Sequence, residues 1–340
     1  MQPIKSFSRE GLEGLFLALG QPKFRAKQVF TWLYQKRVHS YDEMTNLSKA
    51  LREQLETDYP LTWAKIVNKQ VSVDGTRKYI VSYDDGLTTE MVAIPTEDRL
   101  TVCFSTQVGC AMACSFCATG KEGFTRNLTP GEIVDQIMLA EDDMGMRVTN
   151  VVGMGQGEPF LNYDNVLAAL RIMNSPDGMG IGARHITVST CGILAGIEKW
   201  AKEPEQFTLA ISLHSAVQST RDELMPRVAN QNLVNLKREL MNYVSEARRR
   251  VTLEYIMISD ITDTEDHLRA LESFCDGLLC HVNLIPINSI DESPYKPCSK
   301  KKLHHFVDEL ARKGTEATIR NSRGADIDGA CGQLKNKMGK

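Results

Sequence analysis

Residues 100–117 read LTVCFSTQVGCAMACSFC, and they open the region whose pattern decides the fold. The first part, Leu100–Ser105, is rich enough in β-branched and aromatic residues to predict a strand. Cys110, Cys114 and Cys117 follow with the spacing C-x3-C-x2-C. A loop that wraps around one centre can bring three such thiolates together. The stretch therefore predicts a strand that ends in a sulfur-lined loop.

Downstream of this loop, predicted strands alternate with predicted helices. Extended apolar runs predict strands at Leu100–Ser105, Arg147–Val152, His185–Ser189, Thr208–Leu213, Val251–Met257, His281–Pro286 and Ala317–Arg320. Helical periodicity predicts helices at Pro130–Asp143, Tyr163–Asn174, Leu194–Lys202, Val234–Arg249, Asp263–Cys275 and Lys300–Lys313. Such alternation indicates parallel strands joined by crossover helices, so the predicted fold class is α/β, a barrel or partial barrel. In such folds, functional groups gather where the strands end.

Two further regions precede the alternating one, which we take as residues 99–340. Residues 1–60 predict a small helical domain, and residues 61–98 predict a β-rich extension. The predicted helices are Gly11–Leu19, Phe24–Gln35 and Met44–Leu55. The predicted strands are Ala64–Ser72, Arg77–Tyr83 and Thr88–Ile94. Asp-Gly hairpin signals at 74–75 and 85–86 separate these strands.

The composition is that of a globular protein. The chain has 340 residues, of which 42% are hydrophobic, and this excludes disordered and fibrous classes. No apolar run approaches the ~18 residues of a membrane span, and the first residues lack a signal peptide's apolar segment, so we expect a cytoplasmic protein without a membrane partner. Nine cysteines, an odd number, indicate reduced thiols. Core packing is the expectation for Cys191, Cys275, Cys280 and Cys298.

The three clustered cysteines have no fourth metal ligand nearby in the sequence. The missing ligand bears on whether a bound metal would be structural or catalytic. Structural zinc takes a closed set of four ligands, whereas catalytic metals keep one position open. An iron–sulfur cluster held by three thiolates would leave one iron free for substrate. The alternative is a structural zinc site with a remote fourth ligand. Gly109 and Gly120 permit the tight backbone that either loop needs.

The motif C-x3-C-x-aromatic-C, with Phe116 in the aromatic place, resembles the signature of the radical S-adenosylmethionine enzymes. The resemblance implies a partial (β/α)6 barrel. It also implies a 4Fe–4S cluster, one per chain, with Cys110, Cys114 and Cys117 as its ligands. It also implies that the open iron binds S-adenosylmethionine, which is cleaved reductively to a 5′-deoxyadenosyl radical.

Polar residues at the ends of later strands support a nucleoside-type cofactor. Gly157-Glu158-Pro159 resembles the superfamily's motif that meets the methionine amino group. Short polar side chains then recur at strand ends, where a nucleoside needs hydrogen-bond partners. His214 is expected to use its backbone alone. The predicted cofactor-binding residues are Gly157, Glu158, Ser189, Ser212, Leu213, His214 and Asn288.

Three separated motifs narrow the resemblance further. They are TVCFSTQVGC at 101–110, CATGKEGFTRNL at 117–128 and DIDGACGQL at 326–334. Together they resemble the RlmN/Cfr family of RNA adenine methyltransferases. The resemblance covers essentially the whole chain, including the helical start. It implies that Cys331 is methylated and delivers the group to the base. Cys103 then resolves the protein–RNA adduct through a transient disulfide, and Glu90 accepts a proton from the ring carbon.

The resemblance also implies the substrate. Pro159 and Asp328 match the branch that methylates carbon 2 of adenosine in 23S rRNA and in tRNA, whereas the carbon-8 branch tends to carry alanine and serine there. Three alternatives to carbon-2 methylation remain. They are methylation of carbon 8, another radical reaction such as sulfur insertion, and a role as a zinc-stabilised RNA-binding protein without catalysis. Cations at 248–250, at 300–302 and in the helical domain are the expected phosphate contacts, although basic triplets are more often simply solvated. We also expect a flavodoxin-type protein to supply electrons and the enzyme to be a monomer.

Overall fold

Three amphipathic helices form the amino-terminal unit of the protein, in a computed structural model that describes residues 2–288, 290 and 293–335. They are α1 (Arg9–Ala18), α2 (Phe24–Tyr34) and α3 (Lys49–Asp58). The helix α3 begins later than the predicted Met44. Its start is fixed by the Ser48 side chain, which accepts a 3.3 Å hydrogen bond from the Leu51 amide. Residues 41–43 form a separate 3-10 turn.

A hairpin extension follows, with β1 (Lys65–Val71), β2 (Arg77–Ser82) and β3 (Thr88–Pro95), which confirms the three predicted strands. The turns contain Gly75 and Gly86 at φ of +84° and +79°. Strand β3 pairs antiparallel with β4 (Leu100–Cys103). The extension therefore continues the main sheet and places its third strand beside the sulfur-lined loop.

In the described ranges, seven parallel strands complete this sheet in the order β4-β7-β8-β9-β10-β11-β12. The strands after β4 are β7 (Asn150–Gly153), β8 (Ile186–Thr190), β9 (Thr208–Ser212), β10 (Val251–Met257), β11 (Cys280–Pro286) and β12 (Glu316–Ile319). Strands β5 (Gln107–Gly109) and β6 (Phe124–Asn127) form a separate hairpin. Among the residues that the structure describes, no pairing joins β12 to β1, so the sheet stays open and the predicted partial barrel is confirmed.

Crossover helices join the parallel strands, as predicted. They are α4 (Pro130–Met144), α5 (Tyr163–Asn174), α6 (Leu194–Ala201), α7 (Gln218–Leu224), α8 (Leu233–Ala247), α9 (Glu265–Cys275) and α10 (Lys300–Arg312). The helix α7 and the β5–β6 hairpin were not predicted, because elements of three to seven residues are too short to show a hydrophobic period. Among the described helices, none is long and apolar enough to cross a bilayer.

The amino-terminal unit is attached to the barrel through a buried ion pair. Lys5, with 2% of its surface exposed, donates to Asp135 on α4 and lies 3.2 Å from the ring centre of Trp63. The other Asp135 oxygen accepts a 3.0 Å hydrogen bond from the Ala64 amide. Gly131 allows this approach, since a Cβ there would lie 2.5 Å from the Cβ of Lys5. One carboxylate thus joins three segments of the chain.

Candidate active site

The carboxyl ends of the parallel strands surround a cavity of about 160 Å³. Its wall includes the three clustered thiols and most of the predicted cofactor residues. The predicted site residues that line it are Cys110, Cys114, Cys117, Gly157, Glu158, Ser189, Ser212, His214, Asn288 and Cys331. Leu213 does not line it, because its side chain is fully buried in the hydrophobic core.

The sulfur-lined loop depends on Gly109 at the end of β5. This residue has φ of +73°, and a Cβ on it would lie 2.0 Å from the Gly123 carbonyl oxygen. That same oxygen accepts a 2.7 Å hydrogen bond from the Cys110 amide. The β5–β6 hairpin therefore sets the position at which the loop begins. Gly120 is restricted less severely, since a Cβ there would lie 2.9 Å from the Cys114 backbone.

The three thiols fit an iron–sulfur cluster better than a single metal ion. Within the described part of the chain, no three thiol, imidazole or carboxylate groups converge as one ion requires. Cys110, Cys114 and Cys117 all line the same cavity, and an all-thiolate set is typical of iron–sulfur ligation. Burial raises the pKa of Cys110 to about 12. Because burial disfavours the thiolate form, the positive charge of bound metal would be needed to keep these thiols ionised. The zinc alternative is not favoured.

Cys191 belongs to the same cavity, although the sequence predicts a simple packing role for it. Its thiol is hydrogen-bonded to that of Cys114. The Cys191 amide donates a 2.7 Å hydrogen bond to Glu158, and its carbonyl accepts one of 2.7 Å from Arg221. Its place directly after β8 could have indicated this, because residues at the carboxyl ends of parallel strands share one edge of the sheet.

Glu158 is held rigidly at the cavity wall. It is 2% exposed, and burial raises its pKa above the ordinary value. One carboxylate oxygen accepts from the Phe160 amide at 2.9 Å and the other from the Cys191 amide. Such charge-assisted hydrogen bonds fix the carboxylate orientation. The site can therefore present an oriented acceptor to an amino group.

The neighbouring strand ends supply further polar groups. The hydroxyls of Ser189 and Ser212 lie 3.3 Å apart, on β8 and β9. His214 has φ of +59°, and its amide donates a 3.0 Å hydrogen bond to the Glu254 carbonyl. Burial, together with the charge of Arg221, lowers the pKa of His214 to about 3. Its imidazole is therefore neutral and performs no acid–base role at ordinary pH.

The carboxyl-terminal tail brings Cys331 to the cavity. The Cys331 carbonyl accepts a 3.1 Å hydrogen bond from Asn288, and the next carbonyl, on Gly332, accepts one of 2.8 Å from the Ala118 amide. Farther along, the Leu334 carbonyl accepts a 2.7 Å hydrogen bond from the Thr119 hydroxyl. The tail thus lies directly against the sulfur-lined loop.

Cys103 lies in a second, smaller cavity of about 100 Å³, and Cys331 lines both cavities. Arg320, which follows β12, also lines both, and its electrostatic interaction with Cys331 raises the Arg320 pKa. Burial raises the pKa of Cys103 to about 12, so this thiol is protonated at rest. The fold therefore unites two thiols that are more than two hundred residues apart in the sequence.

Glu90 does not line either of these two cavities, because the tail covers it. It is fully buried on β3, on the same strand face as Val92 and Ile94, which do line the second cavity. The Lys335 amide donates to one oxygen at 2.7 Å. Lys78 lies 3.5 Å from the other oxygen. Burial raises the Glu90 pKa to about 7.

Glu254 is a cavity residue that the sequence analysis missed. It lies on β10, is 4% exposed, accepts a 2.9 Å hydrogen bond from Asn283 and is 3.7 Å from Arg320. Burial raises its pKa. The sequence did contain a signal for Glu254, because a charged residue within an otherwise apolar strand indicates a buried polar site.

Comparisons with known proteins agree with this geometry. A family model described as the ribosomal RNA large subunit methyltransferase N-terminal domain matches residues 3–59, and the radical SAM superfamily model matches residues 104–271. A probable dual-specificity RNA methyltransferase RlmN of Alkaliphilus metalliredigens is 45% identical over 335 residues, covering 98% of this chain and 95% of that protein. A Staphylococcus aureus protein of the same description is 45% identical, with 99% and 93% covered. A crystal structure of a radical SAM methyltransferase from Sphaerobacter thermophilus superposes with a TM-score of 0.91 at 42% identity, with 98% and 99% covered.

Proposed function

Because the chain belongs to the RlmN family of radical S-adenosylmethionine methyltransferases, we propose that it methylates carbon 2 of adenosine in RNA, at the peptidyl-transferase centre of 23S rRNA and at adenosine 37 of tRNA. The position of Cys331 carries the proposal. This thiol lines the cavity of the cluster thiols and also the smaller cavity that contains Cys103. A thiol there can receive a methyl group on one side and meet a second thiol on the other.

The cofactors are a 4Fe–4S cluster and S-adenosylmethionine, as in the radical SAM superfamily. The thiolates of Cys110, Cys114 and Cys117 would hold the cluster. When bound, it supplies the electron that cleaves the sulfonium of S-adenosylmethionine and so generates a 5′-deoxyadenosyl radical. Glu158 and the strand-end hydroxyls of Ser189 and Ser212 would orient that substrate within the cavity.

Cys331 would carry the methyl group to the base. Adenine carbon 2 has no acidic proton, so direct polar transfer of a methyl cation to it is chemically unfavourable. A radical on the S-methyl carbon of Cys331 avoids this difficulty by bonding directly to the ring. The adduct would return one electron to the cluster and lose its carbon-2 proton to Glu90. Cys103, after losing its own proton, would then attack the Cys331 sulfur. The bond between that sulfur and the transferred carbon breaks with its electron pair on the carbon, which takes up a proton and becomes the methyl group, while Cys103 and Cys331 form a disulfide. Their shared cavity supports this step, since disulfide partners must bring their Cα atoms within about 7 Å.

Glu90 would accept the proton that leaves carbon 2. A base works best when its pKa is near the working pH, and burial raises the pKa of Glu90 to about 7. Its Oε1 lies 3.5 Å from Lys78 and has no hydrogen-bond partner among the described residues. That oxygen is therefore available to a proton.

The helical unit of residues 1–60 would be an RNA-binding accessory domain beside the catalytic region of residues 99–340. Two aromatic–cation pairs on this unit, each with one exposed member, support the assignment. Arg25 lies 5.1 Å from the ring centre of Phe24, which is 55% exposed, and Lys36 lies 3.5 Å from that of Trp32. Such pairs can stack on bases and contact phosphates. The triplet at 248–250 contributes less, because Arg249 and Arg250 are bonded to the Phe207 carbonyl and to Glu316.

The test is mass spectrometry of nucleosides from RNA treated with the anaerobically purified protein, S-adenosylmethionine and a flavodoxin-type reductant. We expect 2-methyladenosine in both 23S rRNA and tRNA substrates, from a monomeric protein. Substituting Cys331→Ala should abolish methylation, and Cys103→Ala should accumulate a covalent protein–RNA adduct. Cys298→Ala is the matched control and should retain activity. Detection of 8-methyladenosine, or methylation by the Cys331→Ala variant, would overturn the proposal.

A further inference from the structure

Lys78 is a buried cation to which the proposed methyl transfer gives no role. It lies on β2, is 3% exposed, and its ammonium is 3.5 Å from Oε1 of Glu90 on β3. Among the described residues, no other carboxylate lies within 4.0 Å of this ammonium. Taking an ammonium out of water is costly unless a charged partner compensates for it. Glu90 is therefore the group that allows a lysine to occupy this position.

The strand register brings the two side chains to one face of the sheet. Strands β2 and β3 are antiparallel, with Lys78 opposite Val92 and Ile80 opposite Glu90. Residues opposite each other in such a pair share a face, and long side chains reach the diagonal neighbour. Lys78 and Glu90 are diagonal neighbours of this kind. Because Val92 lines the smaller cavity, which contains both reacting thiols, the pair lies on the face that the reaction uses.

Hydrogen bonds fix the rest of Glu90. Its amide donates a 3.0 Å hydrogen bond to the Gln156 side chain, and its carbonyl accepts one of 2.6 Å from the Ser105 hydroxyl. These side chains replace sheet pairing, because β4 ends two residues before Ser105. Oε2 accepts the 2.7 Å hydrogen bond from the Lys335 amide. Oε1 has no hydrogen bond among the described residues, and Lys78 is the charged group that it faces.

The groups around this carboxylate act in opposite directions. Burial raises the pKa of Glu90, the charge of Lys78 lowers it, and the charge of Glu122 raises it. The Lys335 amide also lowers the Glu90 pKa, but it belongs to the backbone and carries no net charge. Lys78 is thus the side-chain cation that opposes burial at this site.

We propose that Lys78 is a positioning residue for the proton acceptor, which keeps Glu90 ionised and its Oε1 ready to take the proton from carbon 2. The inference rests on the role proposed for Glu90. In this step the C–H bond of the ring breaks, its electron pair stays in the ring, and the proton bonds to Oε1. The Lys78 ammonium keeps its own protons. Its charge also disfavours retention of the new proton, so the carboxylate is restored for the next cycle.

The test is single-turnover methyl transfer by the anaerobic, cluster-containing protein, measured as a function of pH with an RNA that contains the target adenosine. Lys78→Met should move the rise in rate upward by about one pH unit or more, because a neighbouring opposite charge lowers a carboxyl pKa by about 1–3 units. Near neutral pH the rate should therefore fall roughly fivefold or more and recover as pH rises. Lys78→Arg keeps the charge and should restore the wild-type profile.

A second readout separates this role from a merely structural one. Methylation of Cys331 and reductive cleavage of S-adenosylmethionine precede the proton transfer, so Lys78→Met should retain both. The covalent protein–RNA adduct should persist longer in this variant and disappear faster as pH rises. Lys65→Met, at an exposed lysine on β1, is the matched control and should keep the wild-type profile.

Circular dichroism and iron content verify that each variant folds and retains its cluster. Lys78→Gln repeats the measurement if Lys78→Met is unstable. A wild-type pH profile in these variants, together with an inactive Glu90→Gln, would overturn this inference alone. An active Glu90→Gln would overturn the role of Glu90 as well.

Discussion

The backbone amide of Lys335 donates a 2.7 Å hydrogen bond to Oε2 of Glu90, so the carboxyl-terminal tail is fastened to a buried carboxylate on β3. On the other side of Cys331, the Asp326 carboxylate accepts a 2.6 Å hydrogen bond from the Ser72 hydroxyl in the first hairpin. Contacts on both sides of Cys331 therefore position its thiol. The extension that continues the sheet serves as the support for the tail.

Replacing Glu90 should alter both the rate and its pH dependence. As the proposed proton acceptor, Glu90 must be ionised, and its pKa of about 7 means that the ionised fraction grows as pH rises through 7. Single-turnover methyl transfer should therefore accelerate over that range. Glu90→Gln should slow it by at least about a hundredfold and flatten the profile. Glu122→Gln, at a neighbouring carboxylate that bears on Glu90 through charge alone, is the control. An unchanged pH profile in Glu90→Gln would contradict the assignment.

Gly109→Ala should disrupt the sulfur-lined loop. The added Cβ would meet the Gly123 oxygen at 2.0 Å, and φ of +73° is unfavourable for alanine. Gly123→Ala is the matched control, since its φ is +78° but nothing lies within 4 Å of its Cβ. The control should lose only about 1–2 kcal/mol of stability. We expect iron per chain and melting temperature to fall much further in Gly109→Ala. Equal iron content in both variants would show that the close approach is unimportant.

Arg221 is a buried cation beside the cavity, 1% exposed, with a 2.7 Å hydrogen bond to the Cys191 carbonyl. Positive charge in a low-dielectric region favours the reduced, more negative state of a cluster. Arg221→Met should therefore lower the cluster's reduction potential, by on the order of tens of millivolts. Arg221→Lys keeps the charge and should remain nearer to wild type. Redox titration monitored by electron paramagnetic resonance measures this, and identical potentials would contradict it.

Removing only one member of the buried Lys5–Asp135 ion pair should lower the stability of the folded protein. Lys5→Met leaves a buried carboxylate without its cation and should destabilise the protein by about 3 kcal/mol. Combining it with Asp135→Asn removes the charge and retains an acceptor for the Ala64 amide, so much of the stability should return. Thermal unfolding measures both variants. A double variant no more stable than Lys5→Met would show that packing against Trp63, rather than charge, dominates.

Much of the secondary structure could be predicted from the sequence. Val251–Met257 and Tyr163–Asn174 have the predicted bounds, because long apolar periods determine them locally. β7 begins at Asn150 rather than Arg147, since the Val148 amide bonds to the Glu141 side chain on α4. That contact is tertiary and leaves no local pattern. For the same reason, Cys191 and Glu254 were missed, as their role depends on which strands are neighbours.

By itself, the sequence determined the chemistry that is possible: three thiols at a fixed spacing after a strand, a glycine-rich tail with one cysteine, and alternation that requires a parallel sheet. Which groups meet depends on how distant segments pack. Packing places Cys331 between two cavities and buries Glu90 beneath the tail. The physical reason is that covalent spacing limits local geometry, whereas burial and long-range hydrogen bonds, which set distances and pKa values, arise only when distant segments pack together.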